Sequence, residues 1–193
     1  MSAAVTHLLY LHGFRSSPQS TKARTMGAWM AAHRPDVVWH CPQLPPSPRV
    51  AMEGVFAVVK RWPAQTMAVV GSSLGGFYAA TVAERTGCRA VLLNPAVDPA
   101  RDLRRHIGET TAWHSGEGFY FRPEYVDELL QLTVPVTKPQ RYFAVIAKGD
   151  EVLSWEEMTQ HYAGVRTKLL EGSDHGLTDF DAHLPDVVRF LGL

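Results

Sequence analysis

Met67-Ala68-Val69-Val70-Gly71-Ser72-Ser73-Leu74-Gly75-Gly76-Phe77-Tyr78-Ala79 is the stretch on which the reading of this chain turns. The apolar run 67–70 reads as a buried strand, and 74–85 reads as a helix closed by Gly87 in the C-terminal cap position. Between them, Gly71-Ser72-Ser73-Leu74-Gly75 has the form G-x-S-x-G. In a nucleophile elbow of this form the serine stands on a sharp strand-to-helix turn. The residues two places to either side must lack side chains so that neighbouring backbones can pass. Gly71 and Gly75 meet that requirement, and Ser73 becomes the candidate nucleophile.

Working outward, further short apolar runs lie at 8–11, 37–39, 90–93, 142–147 and 168–170, making six strands with the run at 67–70. Most are apolar on successive residues, as expected of parallel strands buried on both faces. Helices are expected between them at 18–33, 50–62, 74–85, 154–162 and 185–191, with Ser154 and Glu157 forming a capping box. Alternating strands and helices predict an α/β fold: a mostly parallel sheet of about six strands with helices on both faces. Two stretches break the rhythm. Residues 41–48 hold four prolines and read as a stiff loop. Residues 98–140 exceed a simple crossover and read as an insertion after the fourth strand, with a helix at 123–132. Its aromatics, among them Trp113, Phe119, Phe121 and Tyr125, suit either a lid lining an acyl pocket or a packing layer.

A chain of 193 residues with 46% hydrophobic content can bury one sizeable core, so 1–193 is expected to be a single domain. Nineteen basic residues balance nineteen acidic ones, which removes the global field that would gather nucleic acid or an anionic membrane. The cluster Arg101, Arg104, Arg105 and His106 reads as solvated surface. Two cysteines, Cys41 and Cys88, without metal-ligand spacing, read as buried thiols, and no metal or organic cofactor is expected. The first ten residues carry neither a basic leader nor a long apolar stretch, and no run is long enough to span a bilayer. A cytoplasmic location follows as the expectation.

A serine hydroxyl needs a base to take its proton, and that imidazole needs an acid to hold its tautomer. In an open parallel sheet such groups gather on the loops at the strands' carboxyl ends, in the chain order Ser, Asp or Glu, His. His175 follows the last strand and is the expected base; His33, His161 and His183 read as helical surface positions. Asp150 ends the fifth strand and is the expected acid, with Glu151 and Asp98 as rivals and Asp174 pointing elsewhere. The oxyanion donors are expected to be the Leu74 amide and an amide of the loop after the first strand, Phe14 in preference to Gly13. His12 reads as a brace for that loop.

Five blocks in order, Leu8-Leu9-Tyr10-Leu11-His12-Gly13-Phe14-Arg15-Ser16-Ser17-Pro18, Gly71-Ser72-Ser73-Leu74-Gly75-Gly76-Phe77-Tyr78-Ala79, Leu93-Asn94-Pro95-Ala96-Val97, Gly149-Asp150-Glu151-Val152-Leu153 and Gly172-Ser173-Asp174-His175, together resemble the YqiA-like esterases, a group of small bacterial α/β-hydrolases. The resemblance covers nearly the whole chain and is weakest in the insertion. It implies Ser73, Asp150 and His175 as a triad, Phe14 and Leu74 as oxyanion donors, and hydrolysis of a small-molecule ester with a short to medium acyl chain, with thioesters as a further candidate. A peptidase or acyltransferase on the same triad, and an idle hydrolase fold serving as a protein-binding module, share these motifs.

Overall fold

The computed structural model describes residues 4–193; residues 1–3, part of the segment read as carrying no leader, lie outside the described residues. Fifteen principal elements follow one another: β1 (His7–Leu11), α1 (Thr21–His33), β2 (Val38–His40), α2 (Pro48–Val59), β3 (Met67–Ser72), α3 (Leu74–Thr86), β4 (Arg89–Leu93), α4 (Pro99–Leu103), β5 (Gly108–Thr111), β6 (Gly118–Phe121), α5 (Pro123–Leu132), β7 (Tyr142–Ala147), α6 (Trp155–His161), β8 (Arg166–Leu170) and α7 (Phe180–Leu191). Six of the strands form one sheet in the order β2-β1-β3-β4-β7-β8, every pair parallel. This bears out the expected α/β class.

Side chains alternate across each inner strand, so an unbroken apolar run feeds two cores. On one face Leu9, Leu11, Val69, Leu92, Ala144 and Ile146 pack beneath α2, α3 and α5. On the other, Leu8, Tyr10, Val70, Val91, Phe143 and Val145 pack beneath α1 and α7. The outermost strands β2 and β8 are half-exposed and mix polar with apolar residues. Chain order reverses between β1, which continues outward to β2, and its other neighbour β3, whose successors lie on the far side. At such a switch point the loops leaving two adjacent strands diverge and open a crevice at the sheet's carboxyl edge.

Several boundaries differ from the sequence expectation. Residues 18–20 form a turn ahead of α1. Pro48 closes the proline loop but also opens α2, because Ser47 caps the helix by accepting from the Val50 amide at 3.2 Å, and proline at the first helical position loses no hydrogen bond. Helix α7 starts five residues before Pro185, which it carries inside. On α7, His183 is buried, not on the surface: its Nε2 pairs with Asp179 at 3.0 Å. Of the cysteines, Cys88 is buried and Cys41 only partly so. The capping box at 154–157 is half formed. Ser154 Oγ accepts from the Glu157 amide at 3.1 Å, whereas the Glu157 carboxylate is taken by Arg101 in a bidentate pair at 2.7 and 3.0 Å.

The insertion contains the expected helix at Pro123–Leu132, and also α4 and an antiparallel hairpin of β5 with β6. Glu128 on α5 accepts from the Ser47 hydroxyl at 2.7 Å and the Arg49 amide at 3.0 Å, fastening the insertion to the start of α2. Among the described residues no helix is long and apolar enough to cross a membrane.

At the elbow, α3 leaves β3 so closely that a Cβ on Gly75 would lie 1.9 Å from the Leu11 carbonyl oxygen, and one on Gly71 would lie 2.0 Å from the Gly75 carbonyl oxygen. Both contacts are backbone against backbone and cannot be relieved by a rotamer change. Gly75→Ala is therefore expected to destabilise the protein by more than about 4 kcal/mol or to prevent folding. Gly54→Ala, on an open face of α2 with nothing within 4 Å, should stabilise it by about 0.5–1 kcal/mol. Urea unfolding of the two variants beside wild type checks both signs.

Candidate active site

Ser73 has φ 56° and ψ −122°, a conformation that side-chain-bearing residues rarely adopt. It is held there from both sides: its amide donates to the Leu93 carbonyl at 3.0 Å and its carbonyl accepts from Ala96 at 3.0 Å. The turn lifts Oγ out of the sheet and points it at His175, whose Nε2 is 3.0 Å away. The other ring nitrogen, Nδ1, is 2.8 Å from Asp150 Oδ2. Since a carboxylate only accepts, Nδ1 carries the proton and Nε2 is left to accept from the serine hydroxyl. The Asp150 side chain is 0% exposed and that of His175 is 14% exposed. The remaining carboxylate oxygen of Asp150 accepts from the Val152 and Leu153 amides, both at 2.8 Å, which keeps the buried charge fully hydrogen-bonded.

The rival carboxylates have other tasks. Glu151 accepts from the backbone amide of His175 at 3.0 Å, so the neighbouring acids hold the same residue by different atoms. Asp98 caps α4 by accepting from the Arg101 amide at 3.0 Å, and Asp174 accepts from the Thr178 amide and hydroxyl, each at 3.0 Å.

The Phe14 loop runs alongside the elbow: a Cβ on Gly13 would lie 3.2 Å from the Ser73 Cβ and 3.7 Å from its Oγ. Among the described residues neither the Phe14 nor the Leu74 amide has an intramolecular acceptor. Two free amides beside a serine hydroxyl are what an oxyanion requires. His12 lies beneath this loop, 2% exposed, with Nδ1 3.0 Å from the Gly13 carbonyl and Nε2 accepting from the Leu44 amide at 3.1 Å. Burial holds its pKa below the ordinary histidine value, so the ring is a neutral brace between two loops.

Asn94 escaped the sequence reading. It is fully buried at φ 41° directly after β4, and its side chain donates to the Asp174 and His175 carbonyls at 3.0 and 3.2 Å while accepting from the Ala147 amide at 2.8 Å. One amide thus joins the strand that leads to Asp150 to the loop that carries His175. The only signal in the sequence was a buried-strand terminus followed by Asn-Pro.

The insertion covers the Phe14 loop. Phe14 makes edge contacts with Phe119 and Phe121, with ring centres 6.1 and 5.2 Å apart, and Phe121 continues the row to Tyr125 at 5.4 Å. Arg15 grips the hairpin: Nε donates to the Thr111 carbonyl at 2.5 Å, its own carbonyl accepts from Trp113 at 2.8 Å, and its guanidinium lies over the Trp113 ring. Ser73 and His175 open into a cleft of about 450 Å³ walled also by Leu103, Trp113, Val152 and Leu153. A second hollow of about 540 Å³ shares the Phe14 loop and is lined by Leu44, Pro45, Tyr78 and Phe119.

A parallel sheet with a serine elbow after its third strand, an acid after β7 and a histidine after β8 is the arrangement of the α/β-hydrolases. Solved structures similar over nearly the whole chain have that fold. They include mouse alpha/beta hydrolase domain-containing protein 10 (14% identity, 99% of this chain and 92% of that one, TM-score 0.69) and Est1E from Butyrivibrio proteoclasticus with bound ferulic acid (18%, 97% and 87%, 0.69). Carboxylesterase CesB (YbfK) from Bacillus subtilis is a third (15%, 97% and 84%, 0.60). Within that fold, the model of UPF0227, described as an uncharacterised protein family, matches residues 7–192, and the chain belongs to this YqiA-like family.

Replacing Asn94 by alanine removes three hydrogen bonds and leaves the Ala147 amide buried without a partner. The expected loss is about 2–4 kcal/mol of stability, read by urea unfolding.

Proposed function

We propose that the protein is a serine esterase acting on short- to medium-chain acyl esters. The observation that carries this reading is the unbroken hydrogen-bonded chain from Asp150 through His175 to Ser73 at a positive-φ elbow. Support comes from membership of a YqiA-like family and from likeness to solved esterases. In the proposed reaction Ser73 Oγ attacks the acyl carbon as its proton passes to His175 Nε2. Asp150, bound to Nδ1, holds the ring and stabilises the imidazolium. The carbonyl oxygen takes up negative charge and accepts from the Phe14 and Leu74 amides. Collapse breaks the bond to the alcohol oxygen, which leaves with the proton from Nε2. Water then attacks the acyl-serine, gives a proton to the same nitrogen, and frees the acid as Ser73 Oγ recovers its hydrogen.

The two hollows divide the substrate. His175 must hand its proton to the leaving oxygen, so the alcohol portion belongs in the cleft that His175 lines. The acyl chain is left to the hollow behind Leu74, against Leu44, Pro45, Tyr78 and Phe119, which Arg15, Gln43 and Glu117 also line. A space of that size suits short and medium chains.

Hydrolysis of p-nitrophenyl esters from acetyl to palmitoyl tests the reading. Wild type should show an optimum at short or medium chain length. Ser73→Ala and His175→Gln should each lose at least about 10³-fold in kcat/KM, and Asp150→Asn a comparable amount, because the three act as one unit. A fluorophosphonate probe should label Ser73 and no other residue. Labelling without hydrolysis of any ester would turn the reading towards a peptidase or acyltransferase, and no labelling at all towards a binding module.

A further inference from the structure

The cleft that His175 lines carries more positive charge than ester hydrolysis requires. Arg105 lines it, as do Lys22, whose ammonium donates to the Gly176 carbonyl, and Arg15, which faces the neighbouring hollow as well, while the acid on its wall, Asp102, is already paired with Arg101 at 2.8 Å. Among the described residues neither Arg15 nor Arg105 has a carboxylate within ion-pair distance, in a chain whose charges balance overall. Arg15 is also fixed in place. Its backbone stands at φ 60°, and two of its guanidinium nitrogens are spent on Thr111, which leaves the third directed by the anchored fork. A side-chain-bearing residue in this conformation costs on the order of 1–3 kcal/mol and persists where a site needs it. His106 stacks against Phe14 with ring centres 5.3 Å apart, and burial, followed by the charges of Arg105 and Arg15, holds its pKa below the ordinary value.

Resting on the esterase reading, we infer that the preferred substrate carries an anionic group, a carboxylate or phosphate, on its alcohol portion, held chiefly by Arg105 at the mouth of the cleft. The placement follows from proton delivery. The alcohol oxygen receives its proton from His175 Nε2 as the acyl C–O bond breaks, so this portion lies in the cleft that His175 and Arg105 both line. Guanidinium groups suit the role because they stay charged and present paired donors to carboxylate or phosphate oxygens. In the sequence cluster that reads as solvated surface, Arg101, Arg104 and Arg105 are indeed exposed; Arg101 is consumed by Asp102 and Glu157, while Arg105 and the half-buried His106 also line the cleft.

The test compares 4-(acetoxymethyl)benzoate with its neutral primary amide, and monobenzyl succinate with its neutral amide, following released alcohol by chromatography. The first pair places the charge on the alcohol portion and the second on the acyl portion. Wild type should prefer the first anion over its amide by about tenfold or more in kcat/KM, the contribution of a partly solvated charged hydrogen bond, and show no such preference in the second pair. Arg105→Ala should reduce that ratio at least fivefold, Arg105→Lys should recover part of it, and Arg105→Glu should invert it. A preference of wild type for the neutral amide, a preference confined to the succinate pair, or a ratio unmoved in Arg105→Ala would each overturn the inference. If no ester is cleaved, the esterase reading has failed, and the anion site is then judged by calorimetry of 4-(hydroxymethyl)benzoate with Ser73→Ala protein. Binding weakened at least fivefold by adding Arg105→Ala retains the site, and absence of binding removes it.

Discussion

The backbone contact between the start of α3 and the end of β1 is the constraint on which the rest of the site depends. Gly75 packs on the Leu11 carbonyl with no room for a side chain, and Gly71 packs on Gly75 in the same way. That proximity forces the tight turn at Ser73, leaves the Leu74 amide at the helix start without an acceptor, and brings the loop after β1 beside the serine. The proposed nucleophile, one proposed oxyanion donor and the loop bearing the other are therefore consequences of a single close approach. The parallel register of β1 with β3, which pairs Leu11 with Gly71, carries that approach into the body of the sheet.

The histidine and its acid are assembled differently, by side chains. Asp150 and Glu151 are adjacent carboxylates with separate tasks, one holding the ring of His175 and the other its backbone amide. Asn94 closes the arrangement from below by binding the carbonyls of the His175 loop and the amide at the end of β7. Asp150, His175 and Asn94 are buried or half-buried and satisfied, which is the condition under which a polar network stiffens a site and does not weaken it, while Glu151 binds from the exposed side.

Much of this was legible in the sequence for identifiable reasons. The inner strands were visible because burial on both faces demands unbroken apolar runs, and the elbow because its glycines answer a steric need. His175 and Asp150 could be selected because both follow strands whose carboxyl ends must share one rim. The hairpin of β5 and β6 was not visible. Gly108-Glu109-Thr110-Thr111 has no buried face of its own, and its partners Phe14 and Arg15 lie about a hundred residues earlier in the chain. The start of α7 was hidden because Pro185 resembles a first helical residue, whereas the helix absorbs it one turn in. The buried position of His183 follows from that same missed turn. Arg105 is exposed like Arg101 and Arg104, and no residue pattern signals that the short turn at 104–106 sets it beside the cleft.

Five non-glycine residues among those described have positive φ: Arg15, Ser73, Asn94, Ser173 and Leu177. Each lies in a loop that leaves the carboxyl end of a sheet strand, and none lies at the opposite edge. The protein is therefore lopsided in its energetics, with a relaxed end that holds the chain together and a wound end kept under tension by it. Glycine at any of these positions would ease the backbone and remove the side chain that the tension holds in place. Selection for stability alone and selection for the site pull in opposite directions along this one rim. Sequences free of the second pressure should drift towards looser turns there while leaving the sheet beneath them intact.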